Sequence, residues 1–416
     1  MSTDYYWRVK RCRACGTGSR MRKVFDLGMQ GIICFPKKRM THPGIEVPKA
    51  PLALVRCPKC NLVQLSHSMD RDYLYRDYWY QSGITATMRQ HLASVVKEAK
   101  EIASVKAGDW VLDIGANDGT LLSLWPEGVK RYAFEPATAC IAACQKHAEK
   151  MHSTYFDSAM VEPDIRFKAI TAISMFYDLD DPLGFLKGVR NVLAPDGVVV
   201  IDQNYLPDML YHNAFDNICH EHVCYHTRKS MYDLAERAGL HVLRHSFMPL
   251  NGGSFRLVLK HGKIPWEIWD TPSPVEYKVF AKNVRGIRAA VLNQVKRAKR
   301  PYLLGASTRG HTLAQYFGLD HKNIVAASER DRRKHGHVFG ATGIPIVSEA
   351  EARADADVMI VMPWHFRDEI IERERHYLEA GKALVFPLPK LEVVREPQGV
   401  LDARTGRITR RKPERR

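Results

Sequence analysis

No apolar run in this chain reaches the roughly 20 residues that a bilayer-spanning helix needs, and Met1 to Arg13 carries no secretory hydrophobic segment. The expectation is a cytoplasmic protein with no membrane partner. Disorder is excluded as well, because 45% hydrophobic and 26% charged residues is ordinary globular usage. The 416 residues suffice for two or three domains with full cores. No short internal repeat is present. A disulfide framework is not expected either, since the cysteines number nine, an odd count in a chain without a secretory start.

Acids are scarce. Against 62 Lys and Arg stand 46 Asp and Glu, a formal charge of +16. Such a balance suits an anionic partner, either nucleic acid or a small nucleotide diphosphate. Part of the excess is local: Arg404, Arg407, Arg410, Arg411, Lys412, Arg415 and Arg416 face one acid, Glu414, with almost nothing apolar among them. The segment 397–416 reads as a solvated, disordered tail, with an RNA-binding arm as the alternative.

Four cysteines are patterned as Cys12-x-x-Cys15 and Cys57-x-x-Cys60. Two such knuckles supply four thiolates to a tetrahedral Zn²⁺, and a filled sphere implies a structural role. The gap of about 40 residues between them exceeds the usual ribbon spacing. The block up to Arg76, with Pro36, Pro43, Pro48 and Pro51, has too few apolar residues to fold well without its metal. Cys34, Cys140, Cys144, Cys219 and Cys224 read as small buried hydrophobes.

Beyond Arg76 strand and helix patterns alternate. Strands are expected at Trp110–Ile114, Arg131–Phe134, Ile170–Met175, Val198–Asp202, Leu240–Ser246 and Phe255–Lys260. Helices are expected at Met88–Val105, Ala137–Lys150, Leu183–Leu193 and Lys229–Ala238. That alternation implies a doubly wound α/β sheet. The last two strands, with no helix between them, would close it antiparallel, as class I methyltransferases do. After an amphipathic stretch, Val275–Arg300, a smaller α/β block follows, with strands at Tyr302–Leu304, Ile324–Ala327, Val358–Met362 and Ala383–Phe386. Its Gly305–Gly310 turn is serviceable as scaffold with no ligand.

The strand Val111–Ile114 runs into Asp113-Ile114-Gly115-Ala116-Asn117-Asp118-Gly119, and Glu135-Pro136 ends the next apolar run. Glycines let backbone approach a ligand, and the distant carboxylate takes ribose hydroxyls. The dinucleotide spacing Gly-x-Gly-x-x-Gly, which seats a pyrophosphate on a helix N-terminus, is missing. Asp113 and Asn117 suit a cationic, phosphate-free cofactor, S-adenosylmethionine. The motif resembles the first motif of class I methyltransferases.

Between the strand Val198–Asp202 and the helix near Lys229 lies Cys219-His220-Glu221-His222-Val223-Cys224-Tyr225-His226. Loops past the carboxyl ends of strands face the ligand crevice in such sheets, and an imidazole exchanges protons near neutrality. Three readings stand: general acid–base work, structural hydrogen bonding, or a second metal on His220 and His222. The zincin pattern His-Glu-x-x-His fails, because Cys224 holds the required position.

Taken in order, these motifs resemble the sugar C-methyltransferases of deoxysugar biosynthesis, up to about Val394. The resemblance rests on the knuckles around Asp26–Gln30 and Leu62–Leu65, Tyr78-x-Tyr80-x-Ser82-Gly83, the cofactor turn, Cys219–His222, Asn251–Arg256, Met362–Phe366 and Pro387–Pro389. It implies a zinc-binding domain at 1–76, a class I methyltransferase domain at 77–262 and a C-terminal Rossmann-like domain at 263–396 that helps hold a nucleotide-linked 4-keto sugar. His222 is then the base removing the proton beside the ketone, with Glu221 and Tyr80 as its active-site neighbours. The cofactor set is Asp113, Gly115, Asn117, Gly119, Glu135, Pro136 and Phe176. Ser254, Arg256 and Trp364 are the expected substrate contacts, and the oligomeric state is left open, with a monomer among the options. The chain departs from the family at Cys219, where several relatives have Tyr, and at Met175–Asp180, where a family histidine often lies. The alternative is an RNA-modifying methyltransferase. Against it, Asn-Pro-Pro-Tyr is missing after the fourth strand and no Pro-Cys nucleophile replaces it, so no nucleic-acid partner is expected.

Overall fold

The computed structural model describes residues 5–32, 47–76, 80–248 and 252–395, with the backbone of 400–401 and 408–409. Cys34, Pro36, Pro43, Tyr78, Asn251 and the side chains of the Arg404–Arg416 tail lie outside the described residues. The chain forms two compact units: residues 1–30 with 49–281, and residues 31–48 with 282–416. Among the described residues no helix is long and apolar enough to cross a membrane.

The first unit opens with strands β1 (Tyr6–Arg8), β2 (Arg22–Gly31), β3 (Lys49–Arg56), β4 (Val63–Leu65) and β5 (His67–Met69), then a short helix α1 (Arg71–Tyr75). β1 pairs antiparallel with β5. Helix α2 (Ala86–Ala103) follows; Thr85 caps it by accepting the Met88 amide, and Ser104 ends it in the left-handed region. Its buried residues Leu92, Val95, Val96, Ala99 and Ala103 recur every three or four positions, so one face is apolar. That face joins the core with Val111, Ala133, Ala169, Val198 and Val258 of the main sheet.

The sheet strands and their connections are β6 (Trp110–Ile114), α3 (Thr120–Ser123), β7 (Lys130–Phe134), α4 (Thr138–Cys144), β8 (Lys150–His152), β9 (Phe167–Ile173), α5 (Pro182–Val192), β10 (Leu193–Asn204) and α6 (Leu206–Tyr211). The last members are β11 (Cys224–Tyr225), α7 (Arg228–Ala238), β12 (Leu240–Met248) and β13 (Ser254–His261). Seven strands align in the order β12-β13-β10-β9-β6-β7-β8, with β13 antiparallel to both neighbours. The order reverses between β6 and β9, which opens a crevice at their carboxyl ends.

One expectation is corrected here. The helix expected over Ala137–Lys150 stops at Cys144, and Lys150–His152 instead pairs parallel with Tyr132–Phe134 as the sheet edge. A three-residue edge strand, half-buried throughout, has no apolar run to announce it.

β11 does not join that sheet. It completes a four-stranded sheet of order β11-β4-β3-β2, with Cys224 opposite Gln64 and Tyr225 opposite Val63. The His-Glu-His segment is thereby stitched to the cysteine-bearing block.

Helix α8 (Pro274–Arg297) precedes the strands of the second unit, which are β14 (Pro301–Leu304), β15 (Ala327–Glu329), β16 (Val338–Phe339), β17 (Ile344–Ser348), β18 (Val358–Val361), β19 (Ala383–Phe386) and β20 (Glu392–Val394). Five parallel strands in the order β17-β15-β14-β18-β19 are flanked by antiparallel β16 and β20. The Gly305 turn is closed by protein: the Lys334 ammonium donates to the Ala306 carbonyl at 2.9 Å and to Glu329 at 3.0 Å.

Candidate active site and zinc centre

Cys12, Cys15, Cys57 and Cys60 converge from two knuckles, with all four sulfurs within 4.8 Å of one another. Cys12 and Cys60 are 3.5 Å apart, Cys15 and Cys57 3.7 Å. Zinc–sulfur bonds of about 2.3 Å in a tetrahedron set sulfurs about 3.8 Å apart, so this donor set fits Zn²⁺. Each knuckle is the same turn: the Gly16 amide donates to the Cys12 carbonyl at 2.8 Å, and the Asn61 amide to that of Cys57 at 3.1 Å. Gly16 and Asn61 take left-handed φ values of 69° and 64°.

At the carboxyl end of β6, Gly115 turns with φ 72°, and a Cβ there would meet the Met175 side chain at 3.4 Å. The Asn117 amide donates to one Glu135 oxygen at 2.6 Å and the Ala137 amide to the other at 2.6 Å. Asp113 is buried and accepts from the Thr171 hydroxyl at 2.6 Å. Burial, and secondarily the Glu135 charge, push Asp113 up to about 7. Burial likewise raises Glu135. Burial thus penalises the charge of two neighbouring acids at this turn.

The Asn117 side chain has another task. Its amide donates to the Tyr80 carbonyl at 3.0 Å and its oxygen accepts the Ser82 amide at 2.9 Å, pinning the Tyr80–Ser82 segment to the turn. Tyr80 is 41% exposed. Protein still surrounds its phenol closely enough for desolvation, then the Asp118 charge, to push it up to about 12. Gly119 begins α3 and lies against α4, where a Cβ would stand 3.0 Å from the Cys144 Cα. Pro136 is half-buried beside Glu135. Phe176 is fully buried, packed on Phe185 and on His226, with ring centroids 5.7 and 5.3 Å away.

The His-Glu-His loop lies between α6 and β11. His222 Nδ1 is 2.8 Å from the Asn217 carbonyl. A carbonyl only accepts, so Nδ1 carries the proton and the Nε2 lone pair is the basic one. Tyr177, from the turn after β9, sets its ring 4.3 Å from the His222 imidazole. His220 faces elsewhere: its Nε2 is 3.3 Å from the Ala50 carbonyl, and burial pushes its pKa down to about 4. The second-metal reading therefore fails, and among the described residues the metal-capable cluster found is the cysteine quartet.

Glu221 is buried, and desolvation raises its pKa. The Tyr75 hydroxyl donates to its main-chain carbonyl at 3.1 Å. Asp178 joins this group: burial, then the Glu221 charge, hold it well above the carboxylate range, with a hydrogen bond to Tyr75 opposing. Tyr75, Tyr177 and Asp178 stand beside Glu221 and His222 although the sequence did not single them out as candidates. The one available signal was the position of Met175–Asp180 just past the fourth strand.

The expected substrate contacts are placed differently from the base. Ser254 is buried in β13, in register with Asn204 and Met248. Arg256 has four of its five N–H donors engaged by Asp202, Glu98 and Ser94 at 3.0 to 3.1 Å. That places its guanidinium in the packing of the sheet on α2. Trp364, in the second unit, is buried in the turn after β18, edge-on to His365.

Three family models match in order: a zinc binding domain over 12–75, a methyltransferase domain over 85–245 and a C-methyltransferase C-terminal domain over 269–389. Together they make the chain an S-adenosylmethionine-dependent C-methyltransferase. C-methyltransferase NovU of Streptomyces niveus is 27% identical over 369 residues, covering 83% of this chain and 87% of that protein. Among solved structures, a methyltransferase from Clostridium acetobutylicum aligns with TM-score 0.35 and 13% identity, over 42% of this chain and 92% of that one. Magnesium protoporphyrin IX methyltransferase from Synechocystis with bound S-adenosylmethionine aligns with TM-score 0.33 and 12% identity, over 42% and 79%. The C-methyltransferase carries a zinc binding domain beside a methyltransferase domain.

Proposed function

We propose that this enzyme methylates the carbon beside the keto group of a nucleotide-linked 4-keto-deoxysugar, with His222 as the base. The observation carrying this reading is the 2.8 Å bond from His222 Nδ1 to the Asn217 carbonyl, which orients the ring and, in the neutral imidazole, puts the lone pair on Nε2. The likeness to C-methyltransferase NovU supports methylation at carbon, and the sugar substrate follows from the resemblance of the motifs.

A C–H bond next to a ketone yields to an imidazole only when the resulting enolate is stabilised by donors. His222 Nε2 takes the proton, and the electron pair of the C–H bond becomes the enolate. Tyr80, whose phenol stays protonated, is the donor assigned to the enolate oxygen. Asp113 and Glu135 hold the cofactor, which when bound supplies an electrophilic methyl on a sulfonium. The protein's remaining contribution is alignment of the enolate carbon with that methyl. Glu221, the neighbouring position in the motif, is buried, and burial raises its pKa and that of Asp178.

The test is deuterium wash-in at the ketosugar, without S-adenosylmethionine, across dTDP-, GDP- and CDP-linked 4-keto sugars. Exchange is expected in the wild type and absent in His222→Ala with cofactor binding retained. Exchange at the wild-type rate in that variant would remove His222 from the role.

A further inference from the structure

Arg13 sits inside the first cysteine knuckle and is only 8% exposed. A buried guanidinium must satisfy each of its five donors, and all five are satisfied here. Nε donates to Asp180 Oδ1 at 2.9 Å. Nη1 donates to the carbonyls of Leu65 at 2.9 Å and Val223 at 3.4 Å. Nη2 donates to Ser68 Oγ at 2.7 Å and the His67 carbonyl at 3.5 Å.

The partners fall into two groups. Leu65, His67 and Ser68 belong to the zinc block. Asp180 follows the turn that carries Tyr177, and Val223 is the residue after His222. Both groups are tied again independently of Arg13. The Ser68 hydroxyl donates to Asp180 at 2.5 Å, and the Leu65 amide to the Val223 carbonyl at 2.9 Å. The knuckle therefore holds, through one side chain, the two segments whose rings meet at Tyr177 and His222.

We propose that Arg13 is a positioning residue: it transmits the fixed geometry of the zinc knuckle to the segments 177–180 and 221–223, and so sets where the His222 imidazole points. The proposal rests on His222 being the base. The geometry demands arginine specifically. A lysine keeps the charge but has three donors on a single nitrogen, and cannot span Asp180, Val223 and Ser68 together.

The experiment uses the zinc-loaded enzyme with Arg13→Lys, and Asp180→Asn as a second variant that leaves the knuckle untouched. Zinc content, S-adenosylmethionine affinity, amide hydrogen exchange and single-turnover methyl transfer are measured on each. Both variants should retain zinc and cofactor affinity, show faster amide exchange in 177–180 and 219–225, and lose on the order of tenfold to a hundredfold in the transfer step. Wild-type amide exchange in those segments for either variant overturns the proposal, as does wild-type transfer alongside loosened segments. If Arg13→Lys loses zinc, Asp180→Asn alone decides between these outcomes. Failure of the base assignment reads differently: His222→Ala would then keep ketosugar proton exchange while the Arg13 and Asp180 variants still loosen both segments.

Discussion

The ring of Tyr177 stands edge-on against the imidazole of His222, with centroids 4.3 Å apart and planes at 60°. The two residues come from turns after different strands, and their meeting gives the imidazole a wall as well as the Asn217 hydrogen bond. In Tyr177→Ala the Asn217 bond persists but the wall is lost. The turnover number should drop about tenfold or more, with S-adenosylmethionine affinity unchanged and Tyr177→Phe close to wild type. Steady-state kinetics with calorimetric titration of the cofactor checks this; an equal loss in the Phe variant would mean that the hydroxyl, not the ring, matters.

With Asp113 holding the cofactor as proposed, cofactor binding should depend on pH. The Asp113 folded-state pKa of about 7 lies above the ordinary carboxylate value of 3.8, so the folded protein holds this proton more tightly than the unfolded chain. The stability Asp113 contributes is complete at low pH, declines as pH rises between those two values, and is gone above about 7. A bound cation offsets the ionised carboxylate, so S-adenosylmethionine affinity should rise as pH passes from about 6 to about 8, by up to about tenfold per unit below the pKa. Titrations in buffers of differing ionisation enthalpy should reveal proton release, and Asp113→Asn should flatten the profile. A wild-type profile as flat as the variant's would show that Asp113 does not sense the ligand.

Removing the metal should reach the crevice. Cys57→Ser, or prolonged chelation, leaves three thiolates or none, and metal-free blocks of this kind lose most of their folding energy. Limited proteolysis should then cut within residues 12–75, and amide exchange at Leu65 and Tyr225 should rise, because β4 and β11 are paired. Protection at β11 that survives zinc loss would show that the sheet does not need its metal.

Arg256 makes a prediction about stability in place of specificity. Its side chain is 5% exposed and its ion partners Asp202 and Glu98 are 3% and 15% exposed. Arg256→Met removes the buried guanidinium and leaves Asp202 only His91 and Glu98 only the exposed Arg244, at a cost of about 3–5 kcal/mol for a broken buried pair. Urea unfolding should show this loss, with the ketosugar KM unmoved. An unchanged midpoint with a raised KM would return Arg256 to the substrate.

Much of this was written in local sequence. Periodic apolar positions fix α2 and the central strands, since a helix or strand buries the face its own residues supply. The Asp113–Gly119 turn and the two knuckles are equally local, because ligand approach and metal coordination both demand particular residues at fixed spacing. The edge strand β8 was not legible: three half-buried residues leave no pattern.

What the sequence by itself determined is the set of elements and the chemical groups at their ends: four thiolates, an acidic glycine turn and a histidine-rich segment after the strand Val198–Asp202. Only the tertiary structure decided how those groups are used. It tied Arg256 into Asp202 and Glu98, drew Asp178 and Tyr75 to Glu221, and closed Arg13 onto Val223 across 210 positions of chain. The physical reason is that a buried donor takes whichever acceptor folding brings within about 3 Å, and sequence separation carries no information about that distance.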